Sequence, residues 1–102
     1  MGSTIDVSGV RFELDDNETT GLERGLREVP PELSAAGLAL VGELERSRED
    51  RGFVVVPEGG GALEALYAAL ARYEAAVSND SGGDLSSNMT QLRLVVHAAL
   101  ES

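Results

Sequence analysis

The stretch TIDVSGVRFEL, from Thr4 to Leu14, decides the fold because its pattern fits a β-hairpin in a single register. A two-residue Ser8-Gly9 turn places Asp6 opposite Arg11, where the two charges form a cross-strand ion pair. Side chains alternate between the two faces of a strand, so the same register gathers one apolar face. That face consists of Ile5, Val7, Val10 and Phe12.

Downstream of the hairpin, apolar residues recur at helical spacing in several segments, whereas Phe53 to Val56 is a short continuous apolar run. Such a run predicts a third strand, placed centrally in the sheet or covered on both faces. We therefore predict an α+β fold in the order β-β-α-α-β-α-α. The N-terminal β-hairpin and one further short strand form a small sheet, and about four helices pack with it.

Local signals suggest where the helices begin and end. The acidic run at 15–18 is expected to break the second strand, and Thr20 with Glu23 fits a capping box that starts the first helix. Pro30-Pro31 ends that helix, and the second helix follows. The third helix is predicted from Ala62 to about Val77. A polar loop over 78–87 leads to a last helix capped by a serine, either Ser86 or Ser87.

The composition limits the class of protein. The chain has 102 residues, a net charge of −10, no cysteine and no lysine, and we treat 1–102 as a single small acidic domain. The negative charge argues against nucleic-acid binding, which needs a basic patch. Without cysteine there are no disulfides and no thiol chemistry, which favours a cytoplasmic location. The use of arginine alone, with abundant Ala, Gly, Val and Leu, is typical of a high-GC bacterium.

Neither a membrane span nor a targeting segment is expected. No window of the sequence approaches the 18 or so consecutive apolar residues that a transmembrane helix requires. The first residues, MGSTIDVSG, lack the basic and apolar regions of a signal peptide. The sequence therefore predicts no membrane partner.

A glycine-rich turn is the most pointed candidate for a binding site. VVVPEGGGALEAL, from Val54 to Leu66, predicts a strand, a loop and a helix, the order in which phosphate-binding loops are built. The loop lacks the Lys and Ser/Thr of a Walker motif, and Glu58 puts a negative charge where a phosphate would lie. A turn without a ligand is the leading interpretation. The alternative is a small-ligand or anion site formed by Glu58, Gly59, Gly60 and Gly61.

No other residue pattern indicates catalysis, a cofactor or a metal. His97, the only histidine, shares a polar helical stripe with Arg93 and Glu101, so we expect a solvated side chain. One histidine without cysteine does not make an ordinary zinc site. No nucleophile signature such as G-x-S-x-G is present. We assign no catalytic residue, no cofactor and no metal ligand. The sequence favours a protein that is not an enzyme, without deciding the point.

The last helix is apolar around more than half its circumference. Besides its main stripe it carries Leu94, Val95 and Ala98, which a small domain has little interior to cover. Either this helix is central, or its second face meets another chain, as in a homodimer.

These observations favour a non-enzymatic protein–protein interaction or regulatory module that binds a basic partner protein. A homodimer through Leu94, Val95 and Ala98 is compatible with that function, and the small-ligand or anion-binding domain at Gly59–Gly61 is the alternative.

Overall fold

The structure is a computed structural model that describes residues 2–50, 52–81 and 86–101. Within these residues a three-stranded mixed sheet and four α-helices follow the order β-β-α-α-β-α-α, which confirms the predicted α+β fold. The strands are β1 (Ser3–Val7), β2 (Val10–Leu14) and β3 (Phe53–Val55). The helices are α1 (Asp16–Arg27), α2 (Ser34–Asp50, after a 3-10 turn at Pro31–Leu33), α3 (Ala62–Ser81) and α4 (Ser87–Glu101).

The N-terminal hairpin has the predicted register, with Asp6 opposite Arg11 and Val7 opposite Val10. Ser8 and Gly9 have φ angles of 53° and 83°, both in the left-handed region that a tight two-residue hairpin turn requires. The Gly9 N–H also donates to the Asp6 carboxylate at 3.1 Å. Local sequence chemistry therefore accounts for the hairpin.

The sequence predicts a third strand that is central in the sheet or covered on both faces, and the structure shows neither. The strand order is β2-β1-β3, so β3 lies at the edge of the sheet and runs parallel to β1. Val54 is buried, but Phe53 is 47% exposed and Val55 is 62% exposed. The prediction fails because a continuous apolar run does not reveal which of its side chains the rest of the fold will cover.

The start of α1 also differs from the prediction. Asp15, not Thr20, is the N-cap, and the helix begins at Asp16, directly after β2. The Asp15 carboxylate accepts the Glu18 N–H at 2.7 Å, and the Glu18 carboxylate accepts the Asp15 N–H at 3.0 Å. The acidic run that was expected to break the strand therefore forms the reciprocal capping box itself.

All the helices that contact the sheet lie on one face of it. α2 packs against β1 and β3, α4 against β2 and β1, and α1 against β2, while α3 contacts the other three helices. The inner face of the sheet contributes Ile5, Val7, Phe12, Leu14 and Val54 to the buried apolar cluster. α1 approaches α3 so closely that a Cβ on Gly25 would lie 2.7 Å from the Ala69 carbonyl oxygen. In the described part of the chain, no helix packs on the opposite face of the sheet.

The last two helices fit the predicted pattern with a longer α3. α3 continues past Val77 to Ser81, into the stretch predicted as a loop, and the rest of that loop, 82–85, lies outside the described residues. The Ser86 hydroxyl accepts the Met89 N–H at 3.2 Å and so caps α4. Met89, Leu92 and Val96 are fully buried. In the described part of the chain, no helix has the length and apolar character needed to cross a membrane.

Candidate functional site

The open face of the sheet carries the largest exposed apolar groups near the strands. Val55, 62% exposed, and Phe53, 47% exposed, both project from β3 on this face. Their neighbours on β1 are Asp6, opposite Val55, and Thr4, opposite Phe53. Exposed apolar side chains beside polar ones on an uncovered surface are typical of sites that bind another molecule.

Arg11 orders this face. Its guanidinium carbon lies 4.0 Å from the centre of the Phe53 ring, and its Nε lies 3.7 Å from Oδ2 of Asp6. The ring therefore stacks under a cation whose charge Asp6 offsets. Arg11 thus positions Phe53 without making the face positive.

β3 also has a free main-chain edge. The Val56 N–H donates to the Asp6 carbonyl oxygen at 3.0 Å, so the main-chain groups of Val56 and Val54 face β1. Because these groups alternate sides along a strand, the N–H and C=O groups of Phe53 and Val55 face away from the sheet. No residue in the described part of the chain pairs with them. An unpaired row of this kind is a template for another strand.

A groove runs beside this free edge, between β3 and α2. Its wider part, a cleft of about 420 Å³, lies between Ala36 and Leu40 of α2 and Val55 of β3. A second cleft of about 300 Å³ lies between Asp50 and Phe53, and Glu43 lines both parts. We call this continuous feature the edge groove. The small side chains of Ala36 and Ala39 leave the space that a larger residue would fill.

The edge groove is acidic. Glu43 forms an ion pair with Arg46 one turn along α2, whereas Asp50 forms no ion pair with a described residue. Glu58, in the loop after β3, is exposed and has no ion-pair partner in the same part of the chain. Among the described residues, three carboxylates and one guanidinium lie in or beside the groove, so this part of the surface is negative, which disfavours anions and favours cationic groups.

The predicted ligand-binding turn lies at one end of this groove. Gly59 and Gly60 line its wider part, and Glu58 and Gly61 flank them along the chain. Gly60 and Gly61 have φ angles of 71° and 83°, which explains the glycines by backbone conformation alone. The Ala65 N–H donates to the Gly61 carbonyl oxygen at 2.9 Å as the first turn of α3 closes. An anion at this turn would meet the Glu58 charge without a nearby lysine.

The predicted interface residues on α4 lie on a different side of the molecule. Leu94 is 53% exposed, Ala98 is exposed one turn later, and Val95 packs partly against the core. α4 lies under β2 and β1, whereas the edge groove follows β3, at the opposite edge of the sheet. The structure therefore does not bring the two predicted sites together.

His97 joins the two C-terminal helices. Its ring stacks on Tyr67 of α3 with 5.7 Å between ring centres, and its Nε2 lies 3.1 Å from Glu101. Tyr67 is 37% exposed where it stacks on this histidine. Through the stacking on Tyr67, His97 makes a non-covalent surface contact between α3 and α4.

A buried ion pair between α1 and α2 was not anticipated from the sequence. Glu23 is 4% exposed, and its carboxylate lies 3.1 Å from the Arg48 guanidinium. The same guanidinium donates to the Thr20 hydroxyl at 3.2 Å, and the buried Arg48 Nε has no partner among the described residues. Burial raises the pKa of Glu23, an effect that Arg48 partly opposes. Thr20 and Glu23, which the sequence predicts as a capping box, instead contact Arg48 and so connect α1 to α2.

Metal ligands are not clustered in this structure. No group of three or more His, Asp or Glu side chains within 2–50, 52–81 and 86–101 could hold a metal ion.

No protein-family model, curated protein or solved structure matches the chain.

Proposed function

We propose that this chain is a non-enzymatic interaction module that binds a positively charged partner protein. The observation that carries the proposal is the exposed pair Phe53 and Val55 beside an unpaired strand edge and an acidic groove. Exposed apolar groups contribute binding energy, and the surrounding carboxylates select a basic partner and speed its approach. The net charge of −10 acts in the same direction over the whole surface. The lack of cysteine is in keeping with work in a reducing compartment such as the cytoplasm.

The experiment is capture from the native host's lysate on the immobilised chain, at low and at high salt, with mass spectrometry. A basic protein that is held at low salt and released at high salt supports the proposal, because exposed charge pairs weaken as salt rises. Capture of no basic protein at low salt would contradict it.

Two charge variants make this experiment specific to the groove. Asp50→Asn with Glu58→Gln removes one carboxylate that lines the groove and one beside it, while Glu28→Gln with Glu101→Gln removes two exposed carboxylates elsewhere. Both double variants have a net charge of −8, two units from the −10 of the parent chain. We expect capture to fall only with the groove variant. Equal loss with both would mean that the overall charge, and not the groove, selects the partner.

A small ligand in the edge groove is the second candidate function. The cleft of about 420 Å³ beside Gly59 and Gly60 supports it, and the acidic lining favours a cationic or neutral ligand over an anion. Thermal-shift measurements with amines, phosphate, nucleotides and divalent cations test this candidate. A ligand at a hundredfold excess over its Kd stabilises the fold by about 2.7 kcal/mol, which such a screen detects.

A further inference from the structure

We propose that the edge groove binds an extended, basic segment of the partner as a fourth strand, paired to the free edge of β3. This inference rests on the proposed function and specifies its mode: the partner is recognised through main-chain pairing as well as charge. Strand addition to an open edge next to a groove takes affinity from main-chain hydrogen bonds and specificity from alternate side chains.

The main chain of β3 offers what an added strand needs. Phe53 and Val55 present their N–H and C=O groups away from β1, and the described residues leave these groups unpaired. The strand is only three residues long, and the Pro57 nitrogen has no hydrogen to donate. The pairing therefore spans a short segment, of roughly four or five residues at about 3.3 Å each.

The groove also separates two sets of side chains on the added strand. One set falls on the open face beside Phe53 and Val55, where an apolar side chain extends the exposed apolar surface. The other set falls toward Ala36 and Leu40 of α2, inside the wider cleft. Small or medium apolar residues suit the second set because α2 closes one side of the cleft and limits the space for a side chain.

Charge decides between a basic segment and a second copy of this chain. Glu43, Asp50 and Glu58 lie in or beside the groove, and only Glu43 has a cationic partner among the described residues. Pairing β3 of two copies would bring two chains of net charge −10 together at their acidic edges. Like-charge contacts of this kind are costly, whereas arginine or lysine flanking an extended segment is attracted.

The test begins with a phage-displayed library of random peptides, roughly nine residues long, selected on the immobilised full chain. The strongest binder is synthesised with capped ends and titrated into the ¹⁵N-labelled chain. The selected peptides are expected to be net basic with alternating apolar residues, and the Phe53 and Val55 amide protons are expected to move downfield. A selection without basic binders, or shifts centred on α4, would overturn the proposal.

N-methylation of the synthetic peptide separates strand addition from other modes of binding. Alternate residues of an added strand point their N–H groups toward β3, so methylating one alternate set should weaken binding about tenfold or more. Methylating the other set should leave binding within about threefold. Equal effects of both sets would overturn strand addition.

A matched pair of variants tests the same contact from the protein side. Val55→Pro removes an N–H that faces away from β1, and proline is tolerated at such an edge position. Val55→Thr keeps that N–H and changes only the exposed side chain. The proline variant should lose binding about tenfold, and the threonine variant should stay within about threefold. If Val55→Pro fails to fold, the N-methylated peptides alone decide.

The two proposals fail in different ways. A captured basic protein whose binding is unaffected by Val55→Pro would overturn strand addition and leave the interaction module standing. A doubled solution mass that returns to one chain with Val55→Pro would identify a second copy as the occupant and overturn the basic segment. A third outcome is that basic peptides are selected and only one alternate set of N-methyl groups weakens their binding, while the lysate yields no basic protein. This outcome would support strand addition to β3 and contradict a basic partner protein.

Discussion

Arg11 on β2 reaches across β1 and places its guanidinium carbon 4.0 Å from the centre of the Phe53 ring on β3. This contact joins the two outer strands on the face of the sheet that none of the described helices covers. It also places the aromatic ring beside the free edge, under the Arg11 guanidinium.

The Arg11 contact should contribute modestly to stability. Arg11→Ala removes the stacking on Phe53 and the 3.7 Å ion pair with Asp6, both partly exposed to solvent. We expect the free energy of unfolding to fall by about 0.5–1 kcal/mol in urea titrations. The matched control is Arg24→Ala, an exposed arginine on α1, for which little change is expected. Equal losses would show that neither the stacking nor the ion pair with Asp6 contributes to stability.

The N-cap of α1 can be tested with two substitutions. Asp15→Ala removes the carboxylate that accepts the Glu18 N–H, so the free energy of unfolding should fall by about 1 kcal/mol. Thr20→Ala lies inside the helix and should change it by less than about 0.5 kcal/mol. Chemical denaturation measures both. A loss of less than about 0.5 kcal/mol for Asp15→Ala would contradict the capping role of Asp15.

Two glycines should respond in opposite directions to alanine. A Cβ on Gly25 would lie 2.7 Å from the Ala69 carbonyl oxygen, so Gly25→Ala must push α1 away from α3. We expect a loss of about 1–3 kcal/mol. Gly42 on α2 has no atom within 4 Å of the added Cβ, so Gly42→Ala should raise stability by up to about 1 kcal/mol. Melting curves of the two variants that shift in the same direction would contradict this packing.

The pH dependence of stability should reveal the buried Glu23. Burial raises its pKa from the ordinary value of 4.5, so the folded chain holds this proton more tightly than the unfolded chain does. The contribution of Glu23 to stability is therefore greatest below pH 4.5 and is lost as the pH rises through the raised pKa. Glu23→Gln lacks this titration.

Urea titrations of the parent chain and Glu23→Gln measure that contribution. The free energy of unfolding of the variant, minus that of the parent, should increase between about pH 4 and about pH 7. Carboxylates that do not interact with Glu23 cancel in this difference. A difference that falls over the same range would mean that the Arg48 contact outweighs burial and lowers the pKa of Glu23.

The hairpin could be predicted because its determinants are local. Alternation along β1 and β2 and the Ser8-Gly9 turn allow one register, and a slip of one residue would expose Ile5 and Phe12. The buried stripe of α4 follows in the same way from helical spacing. Each of these features depends on residues close together in the chain.

The edge groove could not be predicted because it depends on contacts between distant segments. The apolar run Phe53–Val55 has the composition of a covered strand, and its edge position results from parallel pairing with β1. The Glu23–Arg48 pair joins two helices whose relative rotation the sequence does not give. The cap was misassigned for another reason: Asp15 with Glu18 and Thr20 with Glu23 both fit the spacing of a capping box.

Binding of a basic partner at the edge groove can be measured by amide hydrogen exchange and mass spectrometry, on the chain alone and with its captured partner. We expect slower exchange over 52–57, which includes β3 and its free edge, and little change over 87–101 in α4. Slower exchange over 87–101 with 52–57 unchanged would place the partner on Leu94 and Ala98 and contradict the edge groove as the binding site.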